Sequence, residues 1–384
     1  MKTRTLLLTL ALAAAFQTLS AGAPEIIESV RTELAPDRRQ AVYEVELAAY
    51  GVLRGVTSEQ SLHDATVQRL RAAGVRFTDS LHVYPADRMG LVRIPVASLR
   101  TAGRHAAEMA TQALMGTPVR LLEGDGDWWR VQVPDGYIAW VPESSVVEKS
   151  PAEFDAWRRN SRRAVVGTYW TVQAFATPQT SSPREVVTDL TPGAIVEVDP
   201  ATAPADGRTH IILPDGRTAW IDSTALTPID QWAAQAVDAQ KILDAAYALE
   251  GTSYLWGGMS AKAIDCSGLV KASYFANGLI LRRDASQQAL TGQRLEADKW
   301  PEYEAGDLLF FGSAKTGRIT HVGIYDHDGR YVHSSGRVKR NSLDPQSPDY
   351  LYSPLHAARI IGHEGTEGIT RARDHGWYFD TTHK

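Results

Sequence analysis

The chain has 384 residues, of which 43% are hydrophobic and 22% are charged, and its formal net charge is -5. This composition is typical of an ordinary globular protein, and the slightly acidic balance gives no electrostatic reason to expect a nucleic-acid partner. The scattered histidines lack cysteine or acidic partners at ligand spacing, so we expect neither a metal nor another cofactor. At typical domain sizes, the length allows two to four domains.

The first residues have the pattern of an export signal. Lys2 and Arg4 precede an apolar run over residues 6–16, which is typical of a secretory signal peptide and too short to span a bilayer as an anchor. Small residues at 21–23 offer a cleavage region. We therefore expect residues 1–23 to be removed and the mature protein to be periplasmic or extracellular, with no stable membrane insertion.

A single cysteine, Cys266, occurs in the whole chain, and it follows the glycine-containing segment 254–258. Apolar residues at helical spacing begin just after it, so we predict that Cys266 lies in the first turn of a helix. The unpaired N–H groups and the positive end of the helix dipole stabilise a thiolate there, which favours a nucleophile. The alternative is a small buried core residue. A lone thiol in an oxidising compartment favours the nucleophile, because it has no partner for an internal disulfide.

The region that follows the signal, residues 24–90, has the pattern of a small α/β unit. Nothing in it indicates chemistry, so a packing or covering role is expected. The patterns predict a strand over 40–47, a helix over 58–73 with Thr57 or Ser58 as its cap, and a strand over 75–84.

A short segment then occurs twice. The sequence VPDGYIAWV at 133–141 returns as LPDGRTAWI at 213–221, with Tyr137 in the first copy where the second has Arg217. Pro-Asp-Gly favours a tight turn, and apolar runs flank it on both sides, so each copy predicts a β-hairpin. The repeat therefore predicts two small β-barrels, over 91–149 and 164–228, with a helical connector over 150–163 between them.

The C-terminal part alternates helical and strand patterns. We divide it into a linker over 229–237, a domain over 238–365 and a tail over 366–384. The patterns predict a helix over 228–249, the helix of Cys266 ending near 277–278, a short helix opening in 282–288, and strands over 306–311, 321–326 and 330–334.

Two histidines lie on the last two of these strands. His321 and His333 are six residues to either side of position 327, and the segment 327–329 is a turn, so folding the hairpin brings the two imidazoles near each other. A nucleophilic cysteine needs a base, and that base needs a third group to fix its tautomer. Taken singly, each histidine has a structural or a metal-binding alternative. Together with Cys266 they predict a base and the group that orients it.

These segments are also those of a known family. YLWGG, DCSGLV, RDASQQ, GDLLFF, HVGIY and YVHSSG follow one another as in the NlpC family of papain-like cell-wall cysteine peptidases, which residues 238–363 resemble. The resemblance implies that Cys266 is the nucleophile, His321 the base, His333 the polar third member, and Tyr254 the tyrosine opposite the nucleophile. The Cys266 amide N–H would bind the oxyanion.

The two predicted barrels resemble bacterial SH3-like domains. The fold class is therefore multidomain α+β: a small N-terminal α/β unit, two SH3-like β-barrels and a C-terminal papain-like α+β peptidase domain. This order is similar to a narrower group, the γ-D-glutamyl-L-diamino acid endopeptidases, which act on peptidoglycan stem peptides with a free N-terminal L-Ala. In that group the first SH3-like domain caps the cleft and helps to bind the substrate amine. The resemblance implies a set of substrate-binding residues here: Glu108, Tyr137, Asp265, Ser267, Arg283 and Asp284.

Three classes of function are compatible with these observations. The first is a monomeric hydrolase that releases L-Ala-D-Glu from peptidoglycan-derived peptides in murein turnover or recycling. The second is a broader endopeptidase that cuts intact wall and uses SH3-like domains as anchors, and the third is a wall-binding module with an inactive peptidase domain. The intact Cys/His/His set argues against the third, while Glu108 and Tyr137 favour the first over the second. A thioester-forming acyltransferase of the same fold is a further alternative, and the diamino acid, diaminopimelate or lysine, stays open.

Overall fold

The computed structural model describes residues 22–160, 162–167, 170–179, 185–351 and 353–381. The predicted signal segment over residues 1–21 lies outside the described residues. The described chain forms two compact units, one of residues up to 88 together with 121–123, the other of residues 89–120 and 124 onward. Among the described residues, no helix is both long enough and apolar enough to cross a membrane.

The secondary structure is mixed, and the predicted α+β class is confirmed. The helices are α1 (Ala23–Leu34), α2 (Gln60–Ala72), α3 (Pro151–Arg159), α4 (Ile229–Ala234), α5 (Ala239–Tyr247), α6 (Cys266–Phe275) and α7 (Ala285–Gln288). The strands are β1 (Tyr43–Ala48), β2 (Val52–Thr57), β3 (Thr78–Val83), β4 (Met89–Val92), β5 (Val96–Arg100), β6 (Met109–Leu114), β7 (Pro118–Asp125), β8 (Trp128–Gln132), β9 (Ile138–Pro142), β10 (Val146–Lys149), β11 (Arg163–Val166), β12 (Val172–Phe175), β13 (Val186–Leu190), β14 (Ile195–Val198), β15 (Arg208–Ile212), β16 (Thr218–Asp222), β17 (Leu226–Pro228), β18 (Met259–Ser260), β19 (Ala263–Ile264), β20 (Leu279–Leu281), β21 (Gln293–Glu296), β22 (Leu308–Gly312), β23 (Ile319–Tyr325), β24 (Arg330–Ser335), β25 (Arg337–Ser342), β26 (His356–Arg359) and β27 (Ile369–Arg371).

The N-terminal unit packs two helices on a small sheet. Strand β2 pairs with β1 antiparallel and with β3 parallel, and α1 and α2 contact each other over a shared apolar core. Helix α2 begins at Gln60, with Glu59 before it, so the predicted caps Thr57 and Ser58 are wrong. The reason is local competition: the Ser58 hydroxyl accepts a hydrogen bond from the Val42 N–H at 3.0 Å and is used to join the strand.

Two sheets carry the two copies of the repeat. The first has the strand order β10-β4-β7-β8-β9-β5-β6 and the second the order β13-β12-β16-β15-β14-β11-β17. In each, the Pro-Asp-Gly segment is the turn of a hairpin, β8–β9 in the first sheet and β15–β16 in the second. Gly136 and Gly216 have φ of +87° and +86°, a conformation that glycine adopts without strain. Helix α3 between the sheets begins with a capping box of Ser150 and Glu153.

The helix predicted over 228–249 is wrong in one respect, because the structure has two helices there, α4 and α5. Gln235 ends the first with an extended ψ of 146°, and its side chain donates a hydrogen bond to the Ala276 carbonyl at 2.8 Å. Asp238 starts the second by accepting the Lys241 N–H at 3.0 Å. An N-cap in the middle of an apolar pattern therefore divides it into two helices.

The C-terminal domain is built around the helix of Cys266. Its sheet has the order β21-β26-β22-β23-β24-β25, and α6 contacts β23 and β24. Leu269, Val270 and Tyr274 of α6 are fully buried in a core with residues of α5 and the sheet. Burial of each large apolar side chain contributes about 1.5–3 kcal/mol, so the start of α6 is held against the sheet by packing.

Candidate active site

The start of α6 is fixed by the residue before the cysteine. Asp265 caps the helix: Oδ1 accepts the Gly268 N–H at 2.7 Å, and Oδ2 accepts the Gly257 N–H at 2.8 Å. The same carboxylate therefore joins the helix to the loop that precedes it. Gly257 has φ of +79°, and a Cβ there would lie 2.8 Å from the Met109 carbonyl oxygen, so only glycine allows this approach.

Cys266 is the first residue of α6 and is 6% exposed. Burial, followed by the negative charge of Asp265, raises the pKa of its thiol to about 11. Hydrogen bonds from the backbone of Val322 and Ser267 lower the pKa but do not cancel that effect. The predicted position at a helix start is found, but the predicted stabilisation of a thiolate by the helix is outweighed by desolvation. At neutral pH the side chain of Cys266 is therefore a neutral thiol.

The two histidines are adjacent but not directly opposite. In the β23–β24 ladder, Ile324 lies opposite Val332 and Tyr325 opposite Tyr331. Continuing this register places Gly323 opposite His333, so His321 is its diagonal neighbour. The turn is centred one residue later than the sequence suggests, because Asp328 and Gly329 both adopt positive φ, +52° and +73°.

The diagonal arrangement still produces a hydrogen bond. His321 Nε2 lies 2.7 Å from His333 Nδ1. A Cβ at Gly323 would lie 3.3 Å from the Cβ of His333 and 2.9 Å from Tyr331 Cδ2, so the glycine leaves room for the side chains of His333 and Tyr331. Burial lowers the pKa of His321 to about 3 and that of His333 to about 4, so both imidazoles are neutral at neutral pH.

Tyr254 lies close enough to Cys266 and Asp265 for their charges to affect its phenol. Its N–H donates to the Gly336 carbonyl at 3.0 Å, which ties the loop to the β24–β25 turn. Burial first, then the charges of Cys266 and Asp265, raise the pKa of its phenol to about 12. The hydroxyl therefore stays protonated and can donate a hydrogen bond in the cleft.

Arg283 lies below the helix start and is 1% exposed. Its Nη2 donates to Asp265 Oδ2 at 2.6 Å, and its Nη1 donates to Ser267 Oγ at 2.8 Å. Its Nε donates to Thr111 Oγ1, in the first barrel, at 2.8 Å. The structure thus brings three of the predicted binding residues into one buried cluster, in which Arg283 links the barrel to the residue before the nucleophile. Asp284 caps the short helix α7 through a capping box with Gln287.

The first barrel contacts the same loop and helix at further points. The Met259 N–H donates to Gln112 Oε1 at 2.9 Å, and Lys271 of α6 forms a buried ion pair with Asp135 of the hairpin turn. The N–H of the predicted residue Tyr137, whose side chain is buried, donates to Asp135 Oδ1 at 2.8 Å. The other predicted barrel residue, Glu108, is exposed and directly precedes Met109, whose carbonyl faces Gly257.

Sequence reasoning missed several of these residues. Lys271 had a signal, because it is a charged residue within an otherwise apolar helix, and such a residue needs a buried partner. Asp135 was interpreted only as a turn residue. Thr111 and Gln112 had no signal, since a threonine and a glutamine on a strand are ordinary and their partners lie in another domain.

Comparison with known proteins identifies both parts of this site. Residues 251–359 match the NlpC/P60 family, and residues 99–146 match the bacterial dipeptidyl-peptidase Sh3 domain. The γ-D-glutamyl-L-lysine dipeptidyl-peptidase of Bacillus subtilis is 30% identical over 233 residues, which are 58% of this chain and 71% of that protein. The chain belongs to the NlpC/P60 family. It is a cysteine peptidase, and the predicted resemblance is confirmed.

Two further matches, one in sequence and one in structure, extend the comparison. The γ-D-glutamyl-L-lysine dipeptidyl-peptidase of Bacillus cereus is 25% identical over 270 residues, 67% of this chain and 77% of that protein. A crystal structure of an NlpC/P60 family protein from Bacillus cereus superposes with a TM-score of 0.60 at 20% identity, over 71% of this chain and 99% of that one. The second likeness supports the fold: an SH3-like domain with a C-terminal papain-like domain of the NlpC/P60 family.

Proposed function

We propose that this peptidase hydrolyses the γ-D-glutamyl bond of peptidoglycan-derived peptides of the form L-Ala-γ-D-Glu-diamino acid, releasing L-Ala-D-Glu. The observation that carries the proposal is the docking of the first barrel on the catalytic loop and helix. Thr111, Gln112 and Asp135 of the barrel all make contacts there, with Arg283, Met259 and Lys271 respectively. A covered cleft suits a short peptide with a free end, and the names of the relatives agree with this substrate class.

The proposed chemistry uses Cys266 as nucleophile, His321 as base and His333 as the group that orients the base. His321 accepts the Cys266 thiol proton as the sulfur attacks the glutamyl carbonyl carbon, and His333 holds the His321 ring through the 2.7 Å hydrogen bond. The amide N–H of Cys266, at the helix start, stabilises the oxyanion. His321 then returns the proton to the leaving amine, which leaves a thioester, and water activated by the same imidazole hydrolyses the thioester.

The substrate amine is bound at the barrel side of the cleft in this proposal. An ammonium that leaves water needs a carboxylate beside it. Asp265 contributes negative charge but already accepts hydrogen bonds from Gly257, Gly268 and Arg283. The exposed Glu108 therefore provides the carboxylate that pairs with the amine, and the hydroxyl of Tyr137 completes the pocket. Ser267 and Arg283 support it through their buried cluster with Asp265, and Asp284 supports it by capping α7 directly after Arg283.

The proposal includes the cellular setting predicted from the sequence. The protein is exported, cleaved near residues 21–23, and acts as a monomer on wall peptides in turnover or recycling. No cofactor is required for the thiol chemistry described. The diamino acid of the substrate is either diaminopimelate or lysine, so both peptides belong in the test.

The full mature chain should be incubated with L-Ala-γ-D-Glu-diaminopimelate, the lysine analogue, their N-acetylated forms and intact sacculi, with products identified by mass. We expect L-Ala-D-Glu from the free peptides and discrimination of at least about a hundredfold in kcat/KM against the acetylated ones. Acetylation removes the positive charge that Asp265 and Glu108 attract and adds bulk at the amine. Cys266→Ala should remain folded, by circular dichroism, and lose activity by several orders of magnitude.

The broader endopeptidase is the other candidate, and the same assay separates the two. Equal rates on free and acetylated peptides, or digestion of intact sacculi, would favour it and overturn our proposal. Glu108→Ala should lower activity on the free peptide and narrow the gap to the acetylated one. Glu143→Ala is the matched control: it removes another exposed carboxylate of the first barrel, at the end of hairpin β8–β9 away from the Pro-Asp-Gly turn.

A further inference from the structure

A buried asparagine lies behind the histidine pair. Asn341, on β25, is 7% exposed and sits opposite Tyr331 of β24, which makes it a diagonal neighbour of His333. Its side chain makes two short contacts. Asn341 Oδ1 lies 2.8 Å from His333 Nε2, and Asn341 Nδ2 donates to the backbone carbonyl of Asp349 at 2.5 Å. The amide therefore stands between a fixed backbone group and the ring that orients the base.

The carbonyl of Asp349 decides which way the amide faces. A carbonyl oxygen only accepts hydrogen bonds, so the atom directed at it is the NH2 group, and Oδ1 faces His333. The carbonyl itself is held by the chain, because it also accepts the Ser342 N–H at 3.2 Å. Since Oδ1 only accepts, His333 Nε2 must carry the hydrogen of that bond.

The same logic continues through both rings. A neutral His333 with its hydrogen on Nε2 has a lone pair on Nδ1, and this atom accepts from His321 Nε2 at 2.7 Å. A neutral His321 with its hydrogen on Nε2 then has its lone pair on Nδ1. That is the ring nitrogen that remains to take a proton from the thiol.

We propose that Asn341 is a positioning residue of this peptidase, which sets the tautomers of His333 and His321 in series so that Nδ1 of His321 is the base. The proposal rests on the assignment of Cys266, His321 and His333 as the catalytic groups, and it adds a fourth member that does not touch substrate. The side chain of Asn341 is uncharged. The relay therefore fixes proton positions without placing an anion behind the base.

Lys339 and Asp349 are charged residues that lie near the histidine pair and Asn341. Lys339 lies opposite His333 on β25 and lowers the pKa of both rings, after burial. The carboxylate of Asp349 points to Arg330 at 3.7 Å. Burial and Lys339 lower the pKa values of the two imidazoles. A carboxylate at position 341 would raise them again, because a negative charge beside His333 favours the protonated rings.

Two variants test the proposal on the full mature chain. Asn341→Leu removes the acceptor, and we expect kcat on L-Ala-γ-D-Glu-diaminopimelate to fall by about tenfold to a hundredfold with KM within about twofold. Asn341→Asp keeps an oxygen for His333 Nε2–H but adds a charge, and the acidic limb of the kcat/KM profile should move up by about one pH unit or more. Asn277→Leu is the control, a buried asparagine whose amide donates to the Ser273 carbonyl at 3.3 Å.

A measurement without substrate separates this proposal from the proposed function. Nitrogen-15 NMR of the imidazoles should show both His321 and His333 as Nε2–H tautomers in the unmodified protein and in Asn277→Leu. In Asn341→Leu, His333 should populate the Nδ1–H form. An Nδ1–H tautomer of His333 in the unmodified protein would overturn the proposal, as would an acidic limb unchanged in Asn341→Asp, whichever peptide the enzyme cleaves.

Discussion

The two copies of the repeated hairpin have the same backbone and different neighbours. In each, the turn glycine N–H donates to the residue three before it, at 2.8 Å in the first copy and 2.9 Å in the second. The turn aspartate accepts the N–H two residues on in both, at 2.8 Å for Asp135 and 3.3 Å for Asp215. The local sequence Pro-Asp-Gly therefore gives one turn twice.

The second carboxylate oxygen shows where the copies differ. Asp135 Oδ2 meets Lys271 of the catalytic helix, with side-chain exposures of 4% and 11%. Asp215 Oδ2 instead meets Arg217 of its own turn at 2.9 Å and Arg93 of the first barrel at 3.1 Å. The turn proline carbonyls also have different donors: that of Pro134 accepts from His375 in the segment after the peptidase domain, and that of Pro214 accepts from Lys149 in the first barrel.

A single position explains this difference. The second copy has Arg217 where the first has Tyr137, so the second turn neutralises its own aspartate. A tyrosine cannot do this, and the charge of Asp135 is left for a lysine from another domain. The same turn therefore makes different contacts in the two copies: the first hairpin binds the peptidase domain, and the second binds the first barrel. Substitutions in the two turns should therefore affect stability and activity to different extents.

The largest effect should come from Lys271→Met. It leaves the Asp135 carboxylate buried without its cation, which costs about 3–5 kcal/mol, and the free energy of unfolding from urea titration should fall accordingly. The double variant with Asp135→Asn should recover part of the loss, because no unpaired charge remains. A loss no greater than that of Asp215→Asn would show that the two turns are equivalent and that the comparison is wrong.

Lowering the pH should destabilise the peptidase domain through its two buried histidines, His321 and His333. Burial holds the pKa of His321 near 3 and of His333 near 4, below their ordinary value. Their contribution to stability is complete above about pH 6.5 and is lost as the pH falls toward those values, because the unfolded chain binds the protons first. Between pH 7.5 and pH 5 the loss should amount to about 2–4 kcal/mol for the two groups together. Urea titrations at pH 7.5 and 5 measure it, and His333→Gln should show a smaller change with pH than the unmodified protein.

The tyrosine and the arginine should differ in function. Tyr137→Phe removes one hydroxyl from the proposed amine pocket, and a hydrogen bond to a charged group is worth about 1.5–3 kcal/mol. We expect kcat/KM on the free tripeptide to fall by about tenfold to a hundredfold, with the acetylated peptide less affected. Arg217→Ala, at the equivalent position of the second hairpin, should leave both rates unchanged. Equal effects of the two substitutions would remove Tyr137 from the site.

The smallest effect should come from Asp215→Asn. Its partners Arg217 and Arg93 are 46% and 41% exposed, so solvent screens the interaction and either arginine is solvated when the charge is lost. The free energy of unfolding should change by about 1 kcal/mol or less, and more weakly still at high salt. A decrease in the free energy of unfolding of more than about 3 kcal/mol would show that Asp215, like Asp135, depends on a buried ion pair.

Most elements of the fold were predictable, because their causes are local. The turn chemistry of Pro-Asp-Gly predicted both hairpins, and the apolar spacing after Cys266 predicted its position at a helix start. The same locality placed His321 and His333 on neighbouring strands. The prediction of one helix over 228–249 failed because Asp238 caps a second helix, a role that its sequence neighbourhood allowed but did not require.

The family and the histidine hairpin were predictable from the sequence, because short segments carry their residue patterns. The contacts that these segments make with other parts of the chain depend on the tertiary structure. Lys271 and Asp135 are 136 residues apart, and Arg283 and Thr111 are 172 apart, so their pairing depends on how the barrel docks. The one-residue register of β23–β24 and the orientation of Asn341 depend on the turn and on the Asp349 carbonyl. Burial in the assembled core, rather than the helix dipole, decided that the Cys266 thiol is neutral at rest, because desolvation acts only once the surrounding chain has packed.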